Sequence, residues 1–152
     1  MPHRRTLFAA STLLLAMLTP AAQAQTTVSD AWVRGTVAQQ KASGAFMRIT
    51  SKAGGKLIGV ESAAAGLVEI HEMAMQGGVM HMHAVASVEL PAGQAVEFKP
   101  GGYHVMLMDL KRPLTAGKSI ELTLLVQAKD GKREKVKVLA PIRALGAAPA
   151  MN

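Results

Sequence analysis

Apolar and polar residues alternate with a period of two in run after run of this chain, and glycine or proline closes each run. Strand side chains point to opposite faces in turn, so such runs bury one face and wet the other. β-rich runs fall at about 28–34, 45–51, 57–62, 67–75, 79–85, 95–99, 103–110, 119–128 and 134–139. Between them stand Gly54-Gly55, Gly77-Gly78, Pro91-Ala92-Gly93, Pro100-Gly101-Gly102, Ala116-Gly117 and Asp130-Gly131, all turn formers. Many short strands at near-regular spacing, with no long helical period, predict an all-β domain, a sandwich or barrel of antiparallel strands. The polar stretch 36–43 reads as a loop over one end of it.

The first 24 residues follow another logic: Arg4 and Arg5, an apolar run from Leu7 to Leu18, then Ala22-Gln23-Ala24. This is the pattern of a secretory signal peptide cleaved after Ala24. Its 12-residue apolar run is too short for a helix to cross a bilayer. The Arg-Arg pair lacks the fuller twin-arginine motif, so ordinary secretion is expected. The chain has no cysteine, which excludes a cysteine-borne lipid anchor and a disulfide framework alike. The expectation is a freely diffusing, monomeric periplasmic protein with one domain over 25–143, held by an ordinary core. Residues 144–152, rich in Ala and Gly, read as a frayed tail.

Cleavage would lower the formal net charge from +7 to +5. The densest basic stretch, 129–137, holds Asp130-Gly131 and Glu134, and reads as a solvated hairpin edge whose lysines discourage edge-to-edge pairing. Only Trp32, Phe46, Phe98 and Tyr103 follow the signal, too few aromatics to stack bases, so nucleic acid is not the expected partner.

The chemistry-bearing residues are histidine and methionine. His71, His81, His83 and His104 each have a methionine within two positions, and Met73, Met75, Met80, Met82, Met106 and Met108 share the same segments. Imidazole and thioether form a soft donor set that suits Cu(I) far better than Zn(II), Ca(II) or Mg(II). If Gly77-Gly78 makes a two-residue primed turn, Met75 faces Met80 and Met73 faces Met82. His71 and all four of these methionines then share one face of a hairpin, with His81 and His83 on the other. A one-residue slip would exchange the faces. His104, Met106 and Met108 share a face of a second strand, and Gly101-Gly102 lets the chain turn so that His104 reaches the rim. Taken singly, Met73, Met75, Met80 and Met108 read as core filling, and His81 and His83 as surface residues.

These segments resemble the periplasmic copper chaperones of the PCu(A)C family. Its signature is a histidine, ten residues, a methionine, twenty-one residues and then His-x-Met. His71, Met82 and His104-Val105-Met106 stand at that spacing, and 90–118, LPAGQAVEFKPGGYHVMLMDLKRPLTAGK, is similar to the family's most distinctive stretch. The resemblance implies a cupredoxin-like β-sandwich binding Cu(I) through His71, Met82, His104 and Met106. It implies delivery of copper to the binuclear site of cytochrome c oxidase, on subunit II, alongside a thiol-bearing copper chaperone. Copper sequestration for resistance would use the same ligands. A blue-copper electron carrier needs a cysteine thiolate, and the chain has none. No nucleophile set or paired carboxylates stand out, so a binding protein rather than an enzyme is expected.

Overall fold

A computed structural model describes residues 25–147. The expected signal peptide, and the tail beyond residue 147, lie outside the described residues. Within them the chain forms ten strands: β1 Thr26–Arg34, β2 Ala42–Ser51, β3 Gly55–Glu61, β4 Ala65–Gln76, β5 Val79–Ala84, β6 Val88–Leu90, β7 Ala95–Phe98, β8 His104–Leu110, β9 Ser119–Ala128 and β10 Arg133–Arg143. Among the described residues no helix is long and apolar enough to cross a membrane.

The strands run in the order β5-β4-β8-β2-β1-β10-β9-β3-β6, with β7 also on β2. Two ladder systems meet where β1 pairs with β10 through Val33–Ile142 and Arg34–Arg143. Each system supplies one wall of a shared core. Ile49, Val105 and Leu107 come from one wall and Leu57, Leu122, Leu124 and Val126 from the other, all 2% exposed or less. Burying a leucine in this way stabilises the fold by about 1.5–3 kcal/mol, so this face-to-face packing decides the architecture.

The cupredoxin-like all-β fold is as expected, but the antiparallel rule has an exception, because the β1–β10 pair is parallel. Parallel partners need a long crossover, and here nearly the whole domain supplies it. Residue alternation fixes faces and carries no strand direction. The strand β6 pairs with β3 and was not expected, since three residues are too few to show a period. The loop after β1 is shorter than the polar stretch suggested: Ala42 and Ser43 already belong to β2, and the buried Ser43 hydroxyl donates to the Arg34 carbonyl (2.6 Å).

Strand β10 touches β1 only near its C-terminal end, which leaves its other side open over the basic stretch. Lys135 and Lys137 sit there, paired with Glu61 on β3 (3.8 Å) and Glu121 on β9 (3.3 Å). This placement fits the protective role expected of them.

Candidate metal centre

Strand β4 is longer than its neighbour β8, and the consequence is an overhang. Their register runs from Ala65–Leu110 to His71–His104, where β8 begins. Past that point β4 continues to Gln76 with only β5 beside it. Gly77 and Gly78 take φ of 58° and 79°, the left-handed values a two-residue primed turn requires. Met73 therefore faces Met82 and Met75 faces Met80, the register expected from the sequence. A backbone bond from the Met73 amide to the Gly102 carbonyl (3.3 Å) ties the overhang to the turn before β8.

On β8, Val105 and Leu107 point into the core and are fully buried, so His104 and Met106 face outward on the same wall as His71. A row of rings crosses this outer face. Trp32 and Phe46 stand 4.6 Å apart, Phe46 and His104 6.4 Å, and His104 and His71 5.7 Å between centroids. A one-residue bulge in β1, with Asp30 at φ 54°, brings Trp32 opposite Phe46. Arg34 lies over the Phe46 ring at 5.3 Å and Arg143 over Trp32 at 5.0 Å. Gly44 carries no side chain because a Cβ there would meet the Phe46 ring at 2.9 Å. With Phe46 beside His104 and the two imidazoles beside each other, His71 and His104 are buried despite lying outside the core.

Hydrogen bonds assign a free nitrogen to each imidazole. The Nε2–H of His71 donates to the Glu69 carboxylate (2.7 Å), leaving the lone pair on Nδ1, which is buried without a partner. The Nδ1–H of His104 donates to the Gly102 carbonyl (3.1 Å), leaving the lone pair on Nε2, 3.3 Å from the Met82 sulfur. Two lone pairs facing each other at that distance have no proton between them and are suited to share a cation. Burial, the largest influence, holds the His104 pKa below its ordinary value; the Gly102 bond opposes this, and His71 and Arg34 add to it.

Met82, His104 and Met106 line one groove of about 550 Å³ together with Met73, Phe46 and the Arg34 side chain. His71 stands beside His104, outside that lining. A larger groove of about 710 Å³, between Ser62 and Thr115, holds neither histidine nor methionine. Among the described residues no cluster of three or more His, Asp or Glu side chains is arranged to hold a metal. The donors that this face adds to its two imidazoles are the thioethers of Met73, Met82 and Met106.

The sequence reading missed Glu69. It lies opposite Met106 across the ladder and bonds the His71 ring, which is how carboxylates commonly orient metal-bound histidines. Its signal was available: a carboxylate two positions before a histidine, on a strand, shares that histidine's face. The core-filling reading of Met73, Met75, Met80 and Met108 is corrected, because none of them is in the buried core. Met75 and Met80 are 64% and 43% exposed, on the part of the β4–β5 hairpin that runs beyond β8 at the end of the sheet. His81 and His83 are exposed, as expected, with His83 3.7 Å from Glu72.

A family model described as "Putative lipoprotein LpqE-like" matches residues 26–142. A curated relative, "Putative lipoprotein Lxx21020" of Leifsonia xyli, is 35% identical over 122 residues, spanning 79% of this chain and 72% of its own length. Among solved structures, the apo PCuAC domain from PmoF1 is 27% identical with a TM-score of 0.64, covering 80% of this chain and 95% of that one. The Cu(I) form of DR1885 from Deinococcus radiodurans is 28% identical with a TM-score of 0.59, covering 84% and 81%.

Proposed function

The chain belongs to the LpqE-like, PCuAC family, and from that premise we propose that it is an exported Cu(I) carrier holding the ion with His71, Met82, His104 and Met106. The observation that carries this reading is the 3.3 Å approach of His104 Nε2 to Met82 Sδ. With metal bonds of about 2.0 Å to nitrogen and about 2.3 Å to sulfur, that separation subtends roughly 100° at a shared ion. His71 adds a free Nδ1, and Met106 lies on the same groove wall. Two neutral nitrogens and two thioethers suit Cu(I). Thioethers also resist the oxidation that consumes thiols in an oxidising compartment.

Release matters to a carrier as much as capture. Met82 is 49% exposed on an edge strand, so an incoming donor can displace it without opening the core. Without thiolate ligands the site would yield its ion to a thiolate-rich acceptor. The recipient we propose is the binuclear copper site on subunit II of cytochrome c oxidase, in the periplasm, with a thiol-bearing copper chaperone acting in the same assembly.

A competition titration with Cu(I), read together with X-ray absorption, tests the site. A tightest equivalent with mixed nitrogen and sulfur scattering is expected, and that equivalent should disappear in His71→Ala/His104→Ala. Unchanged binding by that variant would overturn the reading. A deletion strain tests the destination: oxidase activity lost at low copper supports delivery, whereas copper sensitivity alone points to sequestration.

A further inference from the structure

The site above uses one of the four methionines that share the His71 face of the β4–β5 hairpin, Met82, with Met73 beside it in the groove. Met75 and Met80 are left over. They face each other directly across the ladder, next to the turn, and belong neither to the groove nor to the core. Two adjacent, exposed apolar side chains on a hairpin at the sheet edge invite association and contribute little to stability. Directly opposed residues have Cβ atoms about 4.5–5.5 Å apart, and diagonal neighbours on the same face are still within reach of long side chains. Methionine's three rotatable bonds let such sulfurs converge on one point. Met73 is the neighbour of Met75 along β4 and the diagonal neighbour of Met80. Of the titratable groups of the hairpin, Glu72, His81 and His83 alternate onto the opposite face, and His71, which shares the methionine face, stands at its far end from the turn.

We propose that Met75, Met80 and Met73 form a second, weaker Cu(I) site at the tip of the hairpin. It is an entry point from which the ion passes, through Met73 and Met82, to the histidines. This rests on the reading of the His71–Met82–His104–Met106 site. The ion stays Cu(I) throughout: each step exchanges one copper–sulfur bond for a new copper–sulfur or copper–nitrogen bond, the fourth bond of the primary site then forms by addition, and no proton or electron moves. Three neutral thioethers bind without proton competition, so the tip accepts Cu(I) at acidities that protonate imidazole.

The full chain, titrated anaerobically with chelator-buffered Cu(I), tests this in three forms: wild type, Met75→Leu/Met80→Leu and His71→Ala/His104→Ala. Wild type should take a second equivalent with sulfur-only scattering. Lacking imidazole, that site should bind roughly tenfold or more weakly than the first and stay flat from about pH 7 to 4.5. The leucine variant, which keeps exposed apolar side chains of similar volume, should lose the second equivalent. It should keep the first with unchanged affinity and load it several-fold more slowly. The histidine variant should lose the first equivalent and keep the sulfur-only one. Saturation of wild type at one equivalent overturns the tip site. So does a second equivalent that shows nitrogen scattering or survives in the leucine variant. An unaltered first equivalent in the histidine variant overturns the primary site instead, so the two readings fail separately.

Discussion

The sandwich body and the β4–β5 overhang are written in the same alternating pattern, yet their apolar residues meet opposite fates. On β9, Leu122, Leu124 and Val126 are at most 2% exposed; on the overhang, Met75, Met80 and Met82 are 64%, 43% and 49% exposed. What differs is the opposing layer. β9 has the other wall of the sandwich across from it, whereas the overhang runs past the end of β8, where Met73 and Met82 border only an open groove and Met75 and Met80 lie beyond it. Alternation says which residues share a face and is silent on whether that face is covered. The choice of residue says more: leucine and valine fill the covered face, and soft, flexible methionine lines the open one.

The largest test of this division is Leu124→Ala against Met75→Ala. Removing a buried leucine side chain leaves a cavity and costs about 2–5 kcal/mol, a large part of a domain's stability. The exposed methionine should cost within about 0.5 kcal/mol. Urea midpoints of the two variants check this, and equal losses would mean that the overhang is packed like the body.

Affinity should divide the other way. Glu69→Ala removes the carboxylate that fixes the His71 ring while leaving every donor in place, and it should weaken Cu(I) binding roughly 10- to 100-fold. Glu69 is 38% exposed, so global stability should barely change. Glu69→Gln, which still accepts the Nε2–H bond, should recover much of the loss. No loss in the alanine variant would mean that the tautomer is set by something other than Glu69.

A smaller effect is expected at the turn. Gly77 sits at φ 58° with open space around its Cα, so Gly77→Ala meets no clash and costs only the left-handed backbone strain, about 1–2 kcal/mol. An overhang paired on one side opens locally, apart from global unfolding. The strain should therefore appear as a several-fold weaker Cu(I) affinity, from loss of the register that seats Met82, with the urea midpoint nearly unmoved. A midpoint that falls by the full amount would show that the overhang and body unfold as one unit.

Much of this was legible in the residues. Nine strands, the Gly77-Gly78 turn and the Met73–Met82 pairing followed from period and glycine placement alone. The parallel β1–β10 seam did not, because pairing between the two ends of a domain leaves no local trace. Nor did the burial of His71 and His104, whose rings stand against each other with Phe46 beside His104, residues far apart in the chain. The β1 bulge that aligns Trp32 with Phe46 depends on Asp30 adopting a left-handed backbone, which an aspartate tolerates but does not announce.

His104 stands where the two regions meet, and its titration says which of them governs it. Its imidazole is held below the ordinary value near 6.5, chiefly by burial. As pH falls, the unfolded chain takes up this proton before the folded one does. Stability therefore declines with falling pH. The contribution is fully present above about pH 6.5 and is lost as pH drops through the folded value. In the metal-free protein, the fall in urea midpoint from pH 7 to pH 5 should thus be larger for wild type than for His104→Gln, by far less than the leucine cavity costs. In the same way, protons should begin to compete with Cu(I) for Nε2 only below the range of an exposed histidine. Equal pH slopes in the two proteins would place His104 with the solvated overhang, and a steeper wild-type slope places it with the body. The second outcome is the one expected of a ring whose burial outweighs the opposing bond to Gly102.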